Sequence, residues 1–138
     1  MSDKVLRFLD EQRPATPCLV VDLDVVGDKY RRLTKALPLG EVFYAVKANP
    51  AQEVLARLAQ LGASFDTAST GEIAQVLALG VAPEKISFGN TIKKQADIAW
   101  AHARGIKLYA FDSEAELEKL AAAAPGAQVF CRILIDGE

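Results

Sequence analysis

Lys47 is the residue whose surroundings say most about chemistry. It stands near the end of the apolar run EVFYAVKA, and the next helical pattern starts only past Pro50. A lysine held there is expected to be partly desolvated. Desolvation disfavours the ammonium form and leaves a neutral amine able to attack a carbonyl. By position alone, the plainer account is a lysine whose stem lies on apolar surface while its head reaches water. Asp66, Asn90 and Asp112 are further polar landmarks at or near the ends of short apolar runs, where turns and helix N-caps use such residues routinely. Arg132 lies inside the run AQVFCRILID, and a period of two puts Phe130, Arg132 and Leu134 on one face. A charge in a strand this apolar must meet a partner or carry a heavy desolvation cost. Ser69 to Glu72 and Ser113 to Glu116 each match the S/T-x-x-E capping box, which accounts for both glutamates as helix starts. His102 stands alone in AWAHARG without a second ligand one turn on, so it reads as a surface or satisfied histidine. Cys18 and Cys131 sit in apolar runs with no CxxC spacing and no paired histidines. They read as buried reduced thiols, and no metal centre is expected.

The elements that must position these residues alternate regularly. A short amphipathic segment ends at Pro14 and Pro17, and CLVVDL (Cys18 to Leu23) has the β-branched content of a strand. From Val25 to Leu37 the apolar residues recur at helical spacing until Pro38 and Gly40 stop the pattern. Then EVFYAVKA, ASFDTAS, KISFGN, KLYAFD and AQVFCRILID read as five strands, separated by four helical segments closing on Gly62, Gly80, Gly105 and Gly126. Strands that alternate with helices in this way indicate parallel βα units, because parallel neighbours need a crossover connection. A dinucleotide fold would carry GxGxxG after its first strand, whereas here that turn reads KANPAQE. A (β/α)8 barrel of TIM type places its working residues at the C-terminal strand ends, where Lys47, Asp66, Asn90 and Asp112 fall. The expected fold is therefore an α/β barrel, of which these 138 residues hold about the first five strands; a complete barrel needs about 250 residues.

Composition narrows the partners. The chain is 51% hydrophobic with a formal net charge of −2, which gives no basic footprint for a nucleic-acid backbone. Charges interrupt the opening MSDKVLRFLDEQRP, so no signal-peptide core is expected there. No apolar run approaches the roughly 18 residues of a membrane span. A soluble cytoplasmic protein without nucleic-acid or membrane partners is the expectation.

The segment FYAVKANP resembles the cofactor-lysine motif of the pyridoxal-phosphate-dependent decarboxylases of ornithine, diaminopimelate and arginine, whose barrel is of the alanine-racemase type. Further similar segments come in order along the chain: FDTASTGEI, ISFGNTIKK, FDSEAELEKL and CRILIDGE, so the resemblance spans nearly all of it. GNTIKK and AFDSEAEL are more similar to ornithine decarboxylases than to diaminopimelate decarboxylases. The resemblance implies that Lys47 is the Schiff-base lysine holding pyridoxal 5′-phosphate. It implies that Asp66 belongs to the cofactor pocket and pairs with the lysine once its amine is displaced, and that Arg132 lines the same pocket. Glu72 could assist Asp66 there, beside its capping role.

For the whole protein the resemblance implies more. The expected reaction is decarboxylation of a basic amino acid, L-ornithine to putrescine in polyamine biosynthesis, with lysine, arginine or diaminopimelate as alternative substrates. Residues 1–25 would form a helix and a strand that joins a C-terminal β-domain, and residues 26–138 the N-terminal part of the barrel. The family's phosphate loop, its substrate-binding Asp and its catalytic Cys would lie beyond Glu138. The last two come from the partner subunit of a homodimer, with active sites at the interface. On this reading the chain is the N-terminal portion of an enzyme, completed by downstream sequence or by a second chain. The alternative is a noncatalytic half-barrel that serves as a binding or assembly module.

Overall fold

The computed structural model describes residues 2–135. The chain opens with helix α1 (Asp3–Gln12), capped by Ser2, whose Oγ accepts from the Val5 N–H at 3.4 Å. Residues 13–22 then run without regular structure to α2 (Leu23–Ala36). The expected strand at Cys18 to Leu23 does not form. A strand needs a neighbour to satisfy its backbone, and among the described residues none lies beside this one. Asp22 instead caps α2 by accepting from the Asp24 N–H at 3.0 Å. Leu19 is left 83% exposed.

From there the α/β alternation follows the sequence pattern. The order is β1 (Phe43–Ala45), α3 (Gln52–Gln60), β2 (Ser64–Thr67), α4 (Thr70–Ala78), β3 (Ile86–Phe88), α5 (Gln95–His102), β4 (Leu108–Phe111), α6 (Glu114–Ala123) and β5 (Gln128–Cys131). A short 3-10 turn at Pro83–Lys85 precedes β3. Every neighbouring pair is parallel and the strand order is sequential, β1 to β5. A doubly wound sheet would reverse its strand order at a switch point. Five parallel strands in sequence are the N-terminal part of a TIM-type barrel, as the spacing predicts.

The period of two sorts the strands into two faces. Phe65, Ile86, Phe88 and Tyr109 are buried in one core with Leu55 and Leu58 of α3, Ile73 and Val76 of α4, Ile98 of α5 and Leu120 of α6. Each such full burial contributes about 1.5–3 kcal/mol. The alternate residues Asp66, Ser87 and Leu108 face the concave side. The helices end where the sequence places glycines. Gly62 and Gly105 take left-handed backbone at φ 82° and 86°, which lets the chain reverse after α3 and α5.

Both glutamate boxes cap helices, with a difference. Ser113 Oγ accepts from the Glu116 N–H at 3.4 Å, as expected. The Glu116 carboxylate does not reach back to the cap. It is buried against Lys93, at 2.9 Å, and Lys119, because an ammonium sunk between β4 and α6 needs a counter-charge more than a helix start needs a second acceptor. Ser113→Ala removes one cap and is expected to cost about 1 kcal/mol, read as a lowered denaturant midpoint.

Cys18 and Cys131 are both free and exposed, which corrects the expectation of buried thiols. Cys18 lies in the unpaired stretch before α2, and Cys131 closes β5, the edge strand of the described sheet. Only the ends of the two apolar runs, Leu23 and Ala127, pack against the core. The strand reading of AQVFCRILID extends past Cys131, and its last residue, Asp136, lies outside the described residues. Among the described residues no helix is long and apolar enough to cross a membrane.

Candidate active site

Alternate residues of the strands converge on a cavity of about 420 Å³ that reaches the C-terminal ends of the sheet. β1 supplies Phe43 and Ala45, and the chain then tightens into a single 3-10 turn, Val46–Ala48, that carries Lys47. Val46 is fully buried and anchors the turn. Three bonds fix the segment after the turn: Tyr44 Oη donates to the Asn49 carbonyl at 3.2 Å, Asn49 Oδ1 accepts from the Ala51 N–H at 3.1 Å, and Gln75 Nε2 donates to the Pro50 carbonyl at 2.8 Å. Burial pushes the Tyr44 phenol above its ordinary range, although its bond to Asn49 works in the other direction. Tyr44→Phe deletes one of the three ties and is expected to cost about 1 kcal/mol by chemical denaturation.

Lys47 is exposed, not partly desolvated as its apolar neighbours suggest. The turn lifts it out of the strand, whose apolar members Phe43 and Ala45 lie deeper, and the cavity is open on its side. Asp66 lies on β2 in register between Ala45 and Ser87. Its Oδ1 accepts from Ser87 Oγ at 2.6 Å. Among the described residues no ion pair joins Asp66 to Lys47. Arg132 comes directly after β5; its N–H donates to the Phe111 carbonyl at 2.8 Å, extending the ladder by one step. Arg132 and Phe130 line the same cavity as Lys47 and Asp66. Arg132 is exposed, so the desolvation cost expected of a charge in an apolar strand does not arise.

Glu72 is not among the lining residues. Its Oε2 accepts from the Ala68 N–H at 2.6 Å, while Ser69 Oγ accepts from the Glu72 N–H at 3.2 Å. The carboxylate thus ties down Ala68, which does line the cavity. Asn90 lines it too, with Nδ2 donating to the Ala68 carbonyl at 3.4 Å. Asp112 is exposed at the end of β4 and His102 ends α5, and neither lines the cavity.

Ser87 and Gly89 are among the lining residues that the sequence pattern leaves unremarked. A signal was present: a glycine at the end of a strand marks close approach of another group. Here a Cβ on residue 89 would lie 2.0 Å from Asp66 Oδ1.

The donor set fits an anionic cofactor bearing an aldehyde. Lys47 presents a primary amine to the cavity, Arg132 presents a guanidinium suited to an anionic group, and the small residues Ala45, Ala68 and Gly89 line it between them. Residues 23–138 match the family model described as the pyridoxal binding domain of pyridoxal-dependent decarboxylases. The chain is 38% identical over 135 residues to the lysine/ornithine decarboxylase of Selenomonas ruminantium, covering 98% of this chain and 34% of that protein. It is also 38% identical over 136 residues to antizyme inhibitor 2 of Xenopus laevis, covering 99% of this chain and 30% of that protein. Among solved structures it is similar to SrLDC in complex with PLP and cadaverine, with a TM-score of 0.85 and 38% identity over 98% of this chain and 35% of that one. The chain thus spans about a quarter to a third of the length of the curated relatives it matches.

Proposed function

The chain belongs to the pyridoxal-dependent decarboxylase family, as its pyridoxal binding domain, and on that premise we propose that it carries the cofactor lysine of an enzyme that decarboxylates a basic amino acid. The observation that carries this reading is the exposed amine of Lys47 in one cavity with Asp66 and Arg132. Lys47 is the residue that holds the cofactor's aldehyde carbon. Arg132 receives an anionic group of cofactor or substrate through its planar guanidinium. When bound, pyridoxal phosphate supplies a ring that accepts the electron pair left at the α-carbon as carbon dioxide departs. Asp66 stabilises the Lys47 ammonium once that amine has been displaced and has taken a proton. Glu72 acts through Ala68, holding the loop after β2 in place.

The substrate of this reading is L-ornithine and the product putrescine, which places the reaction in polyamine biosynthesis. It rests on the GNTIKK and AFDSEAEL segments and agrees with the name of the Selenomonas relative. The working enzyme is a cytoplasmic homodimer with active sites at the subunit interface, and residues 1–25 dock on a C-terminal β-domain. Ornithine, lysine, arginine and diaminopimelate offered at equal concentration test the choice; a preference for any but ornithine overturns it.

The carrying claim is tested by adding pyridoxal 5′-phosphate, recording the absorption spectrum, reducing with borohydride and mapping the adduct by peptide mass. A new long-wavelength band and a reduced adduct on Lys47 are expected. A folded protein that gains neither would refute the assignment.

A second reading has one observation in its favour: the similarity to antizyme inhibitor 2, a relative not named as a decarboxylase, is as high as that to the Selenomonas enzyme. On that reading the domain is a noncatalytic binding or assembly module. Capture of pyridoxal phosphate on Lys47 without release of carbon dioxide from any of the four amino acids would favour it.

A further inference from the structure

The carboxylate of Asp66 occupies the space that a side chain at residue 89 would fill. An ideal Cβ on Gly89 would lie 2.0 Å from Asp66 Oδ1 and 2.6 Å from both Cγ and Oδ2, well inside any real contact. The carboxylate is therefore folded sideways along the sheet, over the backbone of the adjacent strand end. Ser87 holds it there, donating from Oγ to Asp66 Oδ1 at 2.6 Å. Ser87 is itself 3% exposed, so the β3 backbone sets where its hydroxyl stands, while the bond it makes is only partly buried and can be exchanged when Asp66 turns. The Gly89 N–H donates to the Thr67 carbonyl at 2.8 Å, which keeps the glycine close against β2.

On the other flank, Asp66 is in register with Ala45, and Lys47 lies two residues further along that chain. Lys47 and Asp66 line the same cavity from neighbouring chain segments, yet among the described residues the two are not paired. The charged residues lining the cavity are Lys47 after β1, Asp66 on β2 and Arg132 after β5; β3 and its loop supply Ser87, Gly89 and Asn90, and β4 supplies Leu108. Among the described residues lining the cavity Asp66 is thus the single anion, beside two cations.

We propose that Ser87 and Gly89 form a berth that holds the Asp66 carboxylate away from Lys47, and that they are positioning residues which set how freely the lysine amine is available to a carbonyl. A residue at 89 with any side chain would evict the carboxylate, and loss of the Ser87 hydroxyl would untie it. Either change lets Asp66 turn toward Lys47 and hold it as an ammonium, which cannot attack a carbonyl. The consequence for cofactor loading rests on Lys47 being the cofactor lysine; the berth itself does not, and it is tested without cofactor.

The test is the rate at which trinitrobenzenesulfonate labels Lys47 at fixed pH and low salt, followed by peptide mass. It is run on the parent protein, Ser87→Ala, Gly89→Ala, and each of these combined with Asp66→Asn. Labelling of Lys47 is expected to slow about threefold in both single variants, the size of an exposed ion pair, and to recover when Asp66→Asn is added. Lys93, whose side chain is fully buried, reports folding in the same digest, since it is labelled only if the variant unfolds. Unchanged labelling of Lys47 in Ser87→Ala, where no atom is added, would overturn the proposal, and so would a slowing that persists with Asp66→Asn. Failure of pyridoxal phosphate to bind would sink the cofactor assignment and leave these rates interpretable.

Discussion

In the decarboxylase proposed above, Lys47→Arg is expected to leave the fold intact and abolish turnover. Arginine keeps the positive charge and much of the reach of lysine, but its guanidinium does not give up a proton and cannot act as a neutral amine toward a carbonyl. The variant therefore separates a charge that merely attracts an anionic cofactor from an amine that bonds to it. Lys47 is exposed in the 3-10 turn, and the turn is held by Val46, Tyr44, Asn49 and Gln75. The thermal midpoint should consequently stay within about 1 °C of the parent, as for a surface change. Release of carbon dioxide by that enzyme from its preferred basic amino acid should fall by about 10³-fold or more, equivalent to roughly 4 kcal/mol of lost transition-state stabilisation. Borohydride should fix no cofactor at residue 47. Retention of a tenth of the parent turnover would mean that the chemistry runs through another amine.

Two separate signals picked out Lys47: its place at a strand end, and the FYAVKANP segment, whose resemblance to a cofactor-lysine motif outweighed the plainer account that position alone supports. Periodicity placed it at a strand end, and the sequential parallel order of β1 to β5 follows the same alternation of strands and helices. Both are written in local pattern, because side chains of a parallel barrel must alternate between core and cavity along each strand. Exposure was not legible. The apolar letters around Lys47 and Arg132 point to buried strands, but burial depends on what packs opposite, and a run of apolar residues carries no information about that. The same limit explains CLVVDL, whose composition suits a strand while its described surroundings offer no edge to pair with, and the two cysteines, whose apolar neighbours are themselves exposed.

Ser87 and Gly89 illustrate a different limit. A small residue at a strand end tells that something comes close, and not what; here the visitor is a carboxylate from the neighbouring strand. Lys93 is the strongest case. Nothing in GNTIKK sets it apart from Lys94, yet its side chain is fully buried. Its Nζ donates to the carbonyls of Asn90 and Ala110 at 2.7 and 2.6 Å and faces the Phe88 ring at 5.6 Å. Lysine is rarely buried unless paired, and the partner, Glu116, lies on α6, a full βα unit downstream.

Glu116→Ala is for that reason expected to be the most destabilising single change in the domain. It would leave the Lys93 ammonium in the interior with two carbonyls and no counter-charge, and would detach Lys119, which also donates to the Lys93 carbonyl at 2.6 Å. Breaking a buried pair by removing one member costs about 3–5 kcal/mol, a large share of the stability of a domain this size. The pH dependence comes from the same residues. Burial pushes the Glu116 carboxyl up, but the hydrogen bonds from Lys119 and Lys93 together with the Lys93 charge outweigh it and hold the group below its ordinary value. A carboxyl lowered in the folded state contributes stability above its unfolded value of about 4.5, and that contribution is lost as the pH falls through the lower folded value. Burial dominates for Lys93 and lowers its ammonium despite Glu116. The folded state therefore sheds that proton before the unfolded chain does, and this group's contribution rises with pH until the unfolded lysine also titrates. Melting curves between pH 3 and 7 should show the parent losing stability toward acid and Glu116→Gln losing less, having no carboxylate to protonate. The same acid slope in both proteins would mean that Glu116 is not charged in the fold and that no ion pair holds Lys93.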